Sequence, residues 1–127
     1  MKVIIAGPRD FTDASELELA IADARKEGIE ITEVVCGKAR GVDTLGEEWA
    51  KRSGIPVKPF PADWNKHGKA AGHVRNGEMA RYGEALIALS YVSPSRGTFN
   101  MILQAKEHGL RVHVRYVKKQ VKSEDQA

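Results

Sequence analysis

The chain of 127 residues lacks the marks of several large protein classes. Cys36 is its single cysteine, so it cannot form an internal disulfide, which excludes a disulfide scaffold and favours a reducing compartment. Its longest apolar runs, such as Val3–Ala6 and Ala85–Leu89, are far shorter than the roughly 20 residues of a membrane-spanning helix. The first residues resemble a strand that turns at once, without the cleavage site of a signal peptide. We therefore expect a cytoplasmic protein with no membrane partner.

A large excess of one charge is also missing. The 20 Lys and Arg against 17 Asp and Glu give a net charge of +3, which is too small for the dense basic stripe of a protein that binds nucleic acid nonspecifically. The charge therefore argues against nucleic acid as a partner. With 42% hydrophobic residues and no internal repeat or linker, the chain has the length and composition of one domain with a real core.

Strand and helix patterns alternate along the sequence. Short apolar runs predict strands at Lys2–Ala6, Ile31–Cys36, Ile55–Phe60, Ala85–Ser90 and Leu110–Val117. Helical spacing predicts helices from the capping box Asp13–Glu16 to Gly28, over Val42–Ser53, over Val74–Tyr82 and over Thr98–His108. We expect residues 61–73 to form a long polar loop. Residues 1–117 are predicted to be the domain, and residues 118–127 a polar, disordered tail.

The order of the strands follows from their composition. Alternating strands and helices predict a parallel sheet with helices on both faces. Val3–Ala6 and Ala85–Leu89 are apolar throughout, as expected of central strands. Pro56 and Pro59 place the third strand at one edge, because proline cannot donate to a ladder. The last strand alternates apolar and charged residues, which predicts one wet face and the other edge. Right-handed crossovers then give an α/β, Rossmann-like three-layer sandwich of order 3-2-1-4-5.

This strand order also predicts where a ligand binds. The chain reverses direction between strands one and four, and ligands of such sheets bind there, beyond the carboxyl ends of the strands. The segments gathered at that point are Gly7–Phe11, Gly37–Asp43, Pro61–Arg75 and Ser93–Thr98. They carry six loop cations, Lys38, Arg40, Lys66, Lys69, Arg75 and Arg96. One such cation is ordinary in a solvated loop, but the group favours an anionic ligand.

The segment Ser95-Arg96-Gly97-Thr98 runs directly into the last predicted helix. Free backbone N–H groups and the dipole at a helix N-terminus attract phosphate. Gly97 allows close approach, and Ser95 and Thr98 offer hydroxyl donors. An ordinary Ser or Thr cap is the alternative, but the position after a central strand favours phosphate.

Two further glycine turns are candidates for binding. Gly37-Lys38-Ala39-Arg40-Gly41-Val42-Asp43 can hold a second phosphate or a ribose, with Asp43 accepting from hydroxyl groups; a plain interaction of Asp43 with its helix N-terminus is equally plausible. In Gly7-Pro8-Arg9-Asp10, Arg9 can reach a phosphate and Asp10 can orient it or a sugar, unless the two only stabilise the turn. Neither turn has the spacing of an NAD fingerprint or of a nucleotide-triphosphatase phosphate loop.

The long predicted loop and the helix after it supply the remaining candidates. Trp64 can stack on a base, although packing is the commoner role of tryptophan. The other candidates here are Asp63, Lys69, Arg75 and Asn76. His67 and His73 with Asp63 lack the spacing of a metal site, so we predict neither a metal nor a cofactor.

Together these segments resemble a known group of proteins. The combined motifs C-G-x-A-x-G-V-D-x-L-x-x-x-W-A, F-P-A-D-W, G-K-A-A-G-x-x-R-N-x-x-M and S-R-G-T are similar to those of the SLOG superfamily, which includes Smf/DprA-like DNA-processing proteins and LOG phosphoribohydrolases. The likeness runs from Ile5 to about Val114 and is greatest to the small stand-alone branch of bacteria and phages. It implies a Rossmann-like domain that binds nucleotides or their derivatives, and a homo-oligomer.

The resemblance also implies catalytic positions, one of which is altered. LOG enzymes use an arginine in R-K-x-x-M and a glutamate in P-G-G-x-G-T-x-x-E. Arg75 matches the arginine, with Asn76 in place of lysine, whereas Met101 stands where the glutamate would be. Splitting an N-glycosidic bond needs a carboxylate near the cationic sugar. Asp10, Asp43 and Glu78 are the available replacements, and Arg75 and Asp43 are the catalytic candidates.

Three hypotheses follow, in decreasing order of preference. The first is a sensor, carrier or sequestering module for a nucleoside monophosphate or an ADP-ribose-like molecule. The second is a hydrolase that splits a nucleoside 5′-monophosphate into base and ribose phosphate. The third is single-stranded DNA binding of the DprA kind, against which the net charge of +3 counts.

Overall fold

The computed structural model describes residues 1–120, in which strands and helices alternate. The strands are β1 (Lys2–Ala6), β2 (Glu33–Cys36), β3 (Val57–Pro59), β4 (Ala85–Ser90) and β5 (Arg111–Tyr116). The helices are α1 (Ala14–Lys26), α2 (Val42–Arg52), α3 (Trp64–His67), α4 (Ala71–Tyr82) and α5 (Arg96–Glu107), with a 3₁₀ turn, Gly68–Ala70, between α3 and α4. Of the predicted tail, residues 118–120 are in neither helix nor strand, and the rest lies outside the described residues.

The five strands form one parallel sheet in the order β3-β2-β1-β4-β5, which confirms the predicted fold class and topology. The fully buried β4 pairs with β1 from Val3 opposite Ala85 onwards. The proline-containing β3 is at one edge and β5 is at the other. This arrangement leaves the carboxyl ends of β1 and β4 side by side at the point where the chain reverses direction.

Alternate residues of β1 enter the two hydrophobic layers on opposite faces of the sheet. Val3 and Ile5 pack in the layer that includes Leu17 of α1 and Trp49 of α2. Ile4 and Ala6 pack in the layer that includes Met79 of α4 and Met101 of α5. Helices α1 and α2 therefore cover one face, and α4 and α5 cover the other.

The acidic residues at the two ends of α1 contact β5, which differs from the predicted capping box and from the predicted open face of β5. Asp13 caps α1 by accepting from the Ser15 backbone N–H at 3.0 Å, but Glu16 does not complete the expected capping box. Its Oε2 instead accepts from Arg115 Nε at 2.7 Å, and His113 Nδ1 lies 2.9 Å from Glu27 Oε1. The charged face of β5 is thus partly covered by the acidic side chains of α1, where the sequence predicted an open, wet face.

The prediction of a long loop over residues 61–73 is wrong. This segment contains α3, the 3₁₀ turn and the first turn of α4, which begins at Ala71. Asp63 caps α3 by accepting from the Lys66 N–H at 3.0 Å. Neither α3 nor the 3₁₀ turn contains a buried residue, so no apolar periodicity marks them in the sequence.

Candidate functional site

A cavity of about 530 Å³ opens at the carboxyl edge of the sheet, where β1 and β4 end. Its walls come from the segments after β1, β2 and β4, from α3 and the 3₁₀ turn, from α4 as far as Met79 and from α5 as far as Met101. Its volume falls within the roughly 300–1,000 Å³ that is usual for small-molecule sites. The cavity therefore lies where the strand order places a ligand.

Most of the predicted ligand-binding residues line this cavity together. They are Gly7, Arg9, Asp10, Asp43, Trp64, Lys69, Arg75, Asn76, Ser95, Arg96, Gly97 and Thr98. These residues span four segments of the sequence, so the fold gathers what the sequence holds apart.

The other predicted binding residues are outside the cavity lining. Lys38 pairs with Glu47 at 2.6 Å, and Asp63 caps α3. Arg40 is exposed on the loop before α2. Gly37 and Gly41 act through their backbones: the Gly37 carbonyl accepts from Arg75, and Gly41 has a positive φ of 70° and packs directly against the Pro8 carbonyl. Direct ligand contact by these five remains a prediction.

The N-terminus of α5 faces the cavity with donors available. The Ser95 hydroxyl caps the helix, accepting from the Thr98 N–H at 3.4 Å and donating to the Thr98 hydroxyl at 2.9 Å. Helical geometry leaves the N–H groups of Arg96 and Gly97 without an intrahelical acceptor. Arg96 and Gly97 are exposed and line the cavity, so a ligand in the cavity can approach these groups. This arrangement suits an anion such as phosphate.

Arg75 is a buried cation that joins α4 to the loop after β2. It is 7% exposed, its Nε donates to Asn76 Oδ1 at 3.0 Å, and its Nη1 donates to the Gly37 carbonyl. Burial lowers the pKa of the guanidinium, while the nearby Asp43 opposes that change. Because two of its nitrogens are held by the protein, Arg75 presents a fixed charge to the cavity.

Asp43, at the start of α2, is a buried carboxylate on the cavity wall. It is 6% exposed, and its Oδ2 accepts from the Ala39 N–H at 3.3 Å. Burial raises the pKa of Asp43 to about 6, although Arg75 and the Ala39 N–H favour the ionised form. A carboxyl with this pKa exchanges its proton near neutral pH, which is the property required of a general acid or base.

Trp64 is an exposed aromatic side chain at the mouth of the cavity. It is 52% exposed, and the guanidinium carbon of Arg9 lies 5.8 Å from its ring centroid. A half-exposed ring leaves a face on which a ligand can stack. Trp49, by contrast, is 7% exposed and packs within the core.

Asp10 has a different partner from the one considered in the sequence. Its Oδ1 accepts from the Tyr91 hydroxyl at 2.8 Å, and burial together with this contact raises the pKa of Tyr91 to about 12. Arg9 lies against Trp64 instead. In the turn after β1, Asp10 is thus anchored to Tyr91 and Arg9 to Trp64, in place of the Arg9–Asp10 pair that the sequence left open.

Met101, which the resemblance matches to the glutamate of LOG enzymes, lies in the cavity wall and is 1% exposed. Of the possible replacement carboxylates, Asp10 and Asp43 line the cavity, whereas Glu78 is exposed and outside the lining. The described wall thus offers Asp43 as its buried carboxylate.

Further residues also line the cavity, among them Ala39, Gly72, His73 and Met79. Ala39, Gly72 and His73 lie within the segments predicted to meet here but are not among the predicted binding residues, and Met79 lies outside those segments. Gly72 and His73 belong to the first turn of α4, where the sequence predicts a loop because no capping residue marks the start of the helix. Within residues 1–120, no cluster of three or more His, Cys, Asp and Glu side chains could hold a metal ion. Cys36 is buried, and burial raises the pKa of its thiol to about 11.

The fold and the cavity define the class: a Rossmann-like α/β protein with a cation-lined pocket at the switch point of its sheet. The chain belongs to the YAcAr family, described as the YspA, cpYpsA-related SLOG family, which matches residues 1–67. It is also similar to the Gene 61 protein of Mycobacterium phage D29, with 34% identity over 116 residues, covering 87% of this chain and 93% of the phage protein. The phage protein therefore covers α4 and α5, which lie beyond the family match. No helix in residues 1–120 is long and apolar enough to cross a membrane.

Proposed function

We propose that this protein binds a phosphorylated nucleotide or nucleotide derivative, such as a nucleoside monophosphate or an ADP-ribose-like molecule, and acts as a sensor, carrier or sequestering module. The observation that carries the proposal is that one cavity combines an open helix N-terminus, four cations and an exposed tryptophan. The four cations are Arg9, Lys69, Arg75 and Arg96.

These parts suit the components of a nucleotide. The N–H groups of α5 and the Arg96 side chain suit a phosphate. Asp43 can accept from a sugar hydroxyl, and the exposed ring of Trp64 suits a base. The cations outnumber the carboxylates Asp10 and Asp43, so the cavity favours an anion.

The test is binding followed by recovery of the ligand. Purified protein is incubated with nucleoside 5′-monophosphates, ADP-ribose, NAD and cyclic nucleotides, and chromatography separates free base from intact and retained ligand. We expect one intact ligand per site, with affinity reduced at least tenfold by Arg96→Ala. Lys106→Ala, at the exposed far end of α5, is the matched control. Absence of retention across the panel would contradict the proposal.

One observation favours a second candidate function, hydrolysis of a nucleoside 5′-monophosphate. Asp43 is a buried carboxylate in the cavity beside Arg75, with a pKa raised to about 6. It could activate the water that adds across the N-glycosidic bond to give free base and ribose phosphate. Free base released by the wild type, but not by Arg75→Ala or Asp43→Asn, would establish this reaction in place of simple binding.

Self-assembly and location in the cytoplasm remain predictions. Phe99 and Leu103 form an apolar strip on α5, in which Phe99 is 56% exposed and Leu103 is 43% exposed. This strip is available for a subunit contact. Sedimentation at several protein concentrations, with Leu103→Lys as the variant, would measure the oligomeric state.

A further inference from the structure

A row of amide side chains connects the cavity wall to the contact between α4 and α5. Asn76 Nδ2 donates to the Gly97 carbonyl at 3.3 Å and to Asn100 Oδ1 at 3.1 Å. The same Asn100 oxygen accepts from Gln104 Nε2 at 3.3 Å, and this nitrogen also donates to the His73 carbonyl at 3.0 Å. The row therefore ties the N-terminal end of α5 to the first turns of α4.

The hydrogen-bonding partners determine the orientation of each amide. Arginine has donors and no acceptor, so the Asn76 atom that meets Arg75 Nε must be its oxygen. That orientation turns the Asn76 Nδ2 towards two acceptors, the Gly97 carbonyl and Asn100 Oδ1. Gln104 donates to Asn100 and keeps its oxygen in the accepting role.

The packing of α4 against α5 leaves space for this row. A Cβ built on Gly77, the residue after Asn76, would lie 3.2 Å from Gln104 Oε1. A side chain at position 77 would therefore press on the Gln104 amide. Asn76 is itself 4% exposed, so water cannot readily replace the partners that it would lose.

We propose that Asn100 is a positioning residue, which with Gln104 orients Asn76 so that Arg75 and the Gly97 backbone are held in one arrangement towards the ligand. Neither Asn100 nor Gln104 is among the residues that line the cavity, so both act through Asn76. The effect on ligand affinity rests on the proposed function, whereas the effect on Arg75 does not.

The test observes Arg75 directly in the ligand-free protein. The Arg75 Nε–H signal in a ¹⁵N NMR spectrum is assigned by its loss in Arg75→Lys. Asn100→Leu, which removes the acceptor at similar size, should shift this signal and speed its exchange with water. Asn100→Asp, which keeps an acceptor, should retain the wild-type signal. Lys106→Ala, at the exposed far end of the same helix, is the control and should leave the signal unchanged.

Binding of adenosine 5′-monophosphate and of ADP-ribose is measured on the same proteins. We expect Asn100→Leu to weaken the binding of at least one of them about tenfold, the scale of one lost buried hydrogen bond. If Asn100→Leu does not fold, Gln104→Leu should shift the Arg75 signal in the same direction to a smaller extent.

The two readouts separate the inference from the proposed function. An unchanged Arg75 signal in a folded Asn100→Leu protein, or an equal shift in Lys106→Ala, would overturn the positioning role. A shifted signal with no nucleotide binding by the wild type would support the positioning of Arg75 and overturn the proposed function.

Discussion

Arg75 and Asp43 converge on the α-carbon of Gly37. A Cβ built on Gly37 would lie 2.6 Å from Arg75 Nη1 and 2.8 Å from Asp43 Oδ2. The buried cation and the buried carboxylate are thus held at one point of the cavity wall, against a residue with no side chain. Gly37 contributes to the site through the space that it leaves, although it does not itself line the cavity.

Gly37→Ala should therefore damage the site more than the fold. The new methyl group meets the ends of two side chains, which must move away, and such overpacking typically costs about 1–3 kcal/mol. We expect at least a tenfold loss of affinity for the ligand retained in the binding panel, with a cooperative unfolding transition preserved. Gly54→Ala is the control, since a Cβ there meets nothing within 4 Å and Gly54 lies outside the cavity lining. Equal affinities for the two variants would contradict the importance of the Gly37 contact.

Asp43→Asn should change how stability depends on pH. Burial raises the pKa of Asp43 from 3.8 to about 6, so between these values the folded state holds the proton more tightly than the unfolded chain. Stability from this group is complete below about pH 4 and is lost as the pH rises through 6, by up to about 3 kcal/mol. We expect the variant to gain stability relative to the wild type between pH 4 and pH 7.5.

Urea unfolding of both proteins at the two pH values measures this difference. Glu48→Gln, which removes an exposed carboxylate from the same helix, controls for the change in net charge. The difference in stability between Asp43→Asn and the wild type could instead stay constant from pH 4 to pH 7.5. That result would show that burial does not raise the pKa of Asp43.

Trp64 should report the binding of a base. Stacking of one base on an aromatic side chain is worth about 1–3 kcal/mol, so Trp64→Ala should weaken the binding of a nucleotide roughly 5- to 150-fold. Ligand should also quench tryptophan fluorescence in the wild type but not in Trp64→Phe, where the buried Trp49 remains. Inorganic phosphate, which has no base, should bind the wild type and Trp64→Ala with equal affinity. Quenching that persists in Trp64→Phe would place the base elsewhere.

Gly41→Ala should be among the most destabilising glycine substitutions. Gly41 combines a φ of 70° with direct packing against the Pro8 carbonyl, whereas Gly54 has a φ of 69° with nothing within 4 Å of a built Cβ. Backbone strain is common to both variants, so their difference measures the steric term. We expect Gly41→Ala to lose at least about 2 kcal/mol more than Gly54→Ala, as measured by chemical denaturation. Equal losses would show that the turns after β1 and β2 can separate freely.

The main features of the fold could be predicted because they depend on local patterns. The apolar run of β4 indicates burial on both faces, and Pro59 indicates an edge strand, whatever the rest of the chain does. The short α3 could not be predicted, because it has no buried residue and therefore no apolar periodicity in the sequence. Asp63, which caps it, is by itself equally typical of a loop.

The location of the site and most of its residues could be predicted, but the hydrogen bonds between those residues could not. The sequence by itself determined the strand order, and hence that Arg9, Trp64, Arg75 and the Ser95–Thr98 segment meet at one edge of the sheet. Tertiary structure alone decided that Arg75 reaches a carbonyl 38 residues away, that Asp43 is buried beside it, and that Asn100 and Gln104 hold Asn76. Periodicity and turn chemistry are properties of neighbouring residues, whereas hydrogen bonds, burial and pKa values depend on distances between segments that only the packed chain brings together.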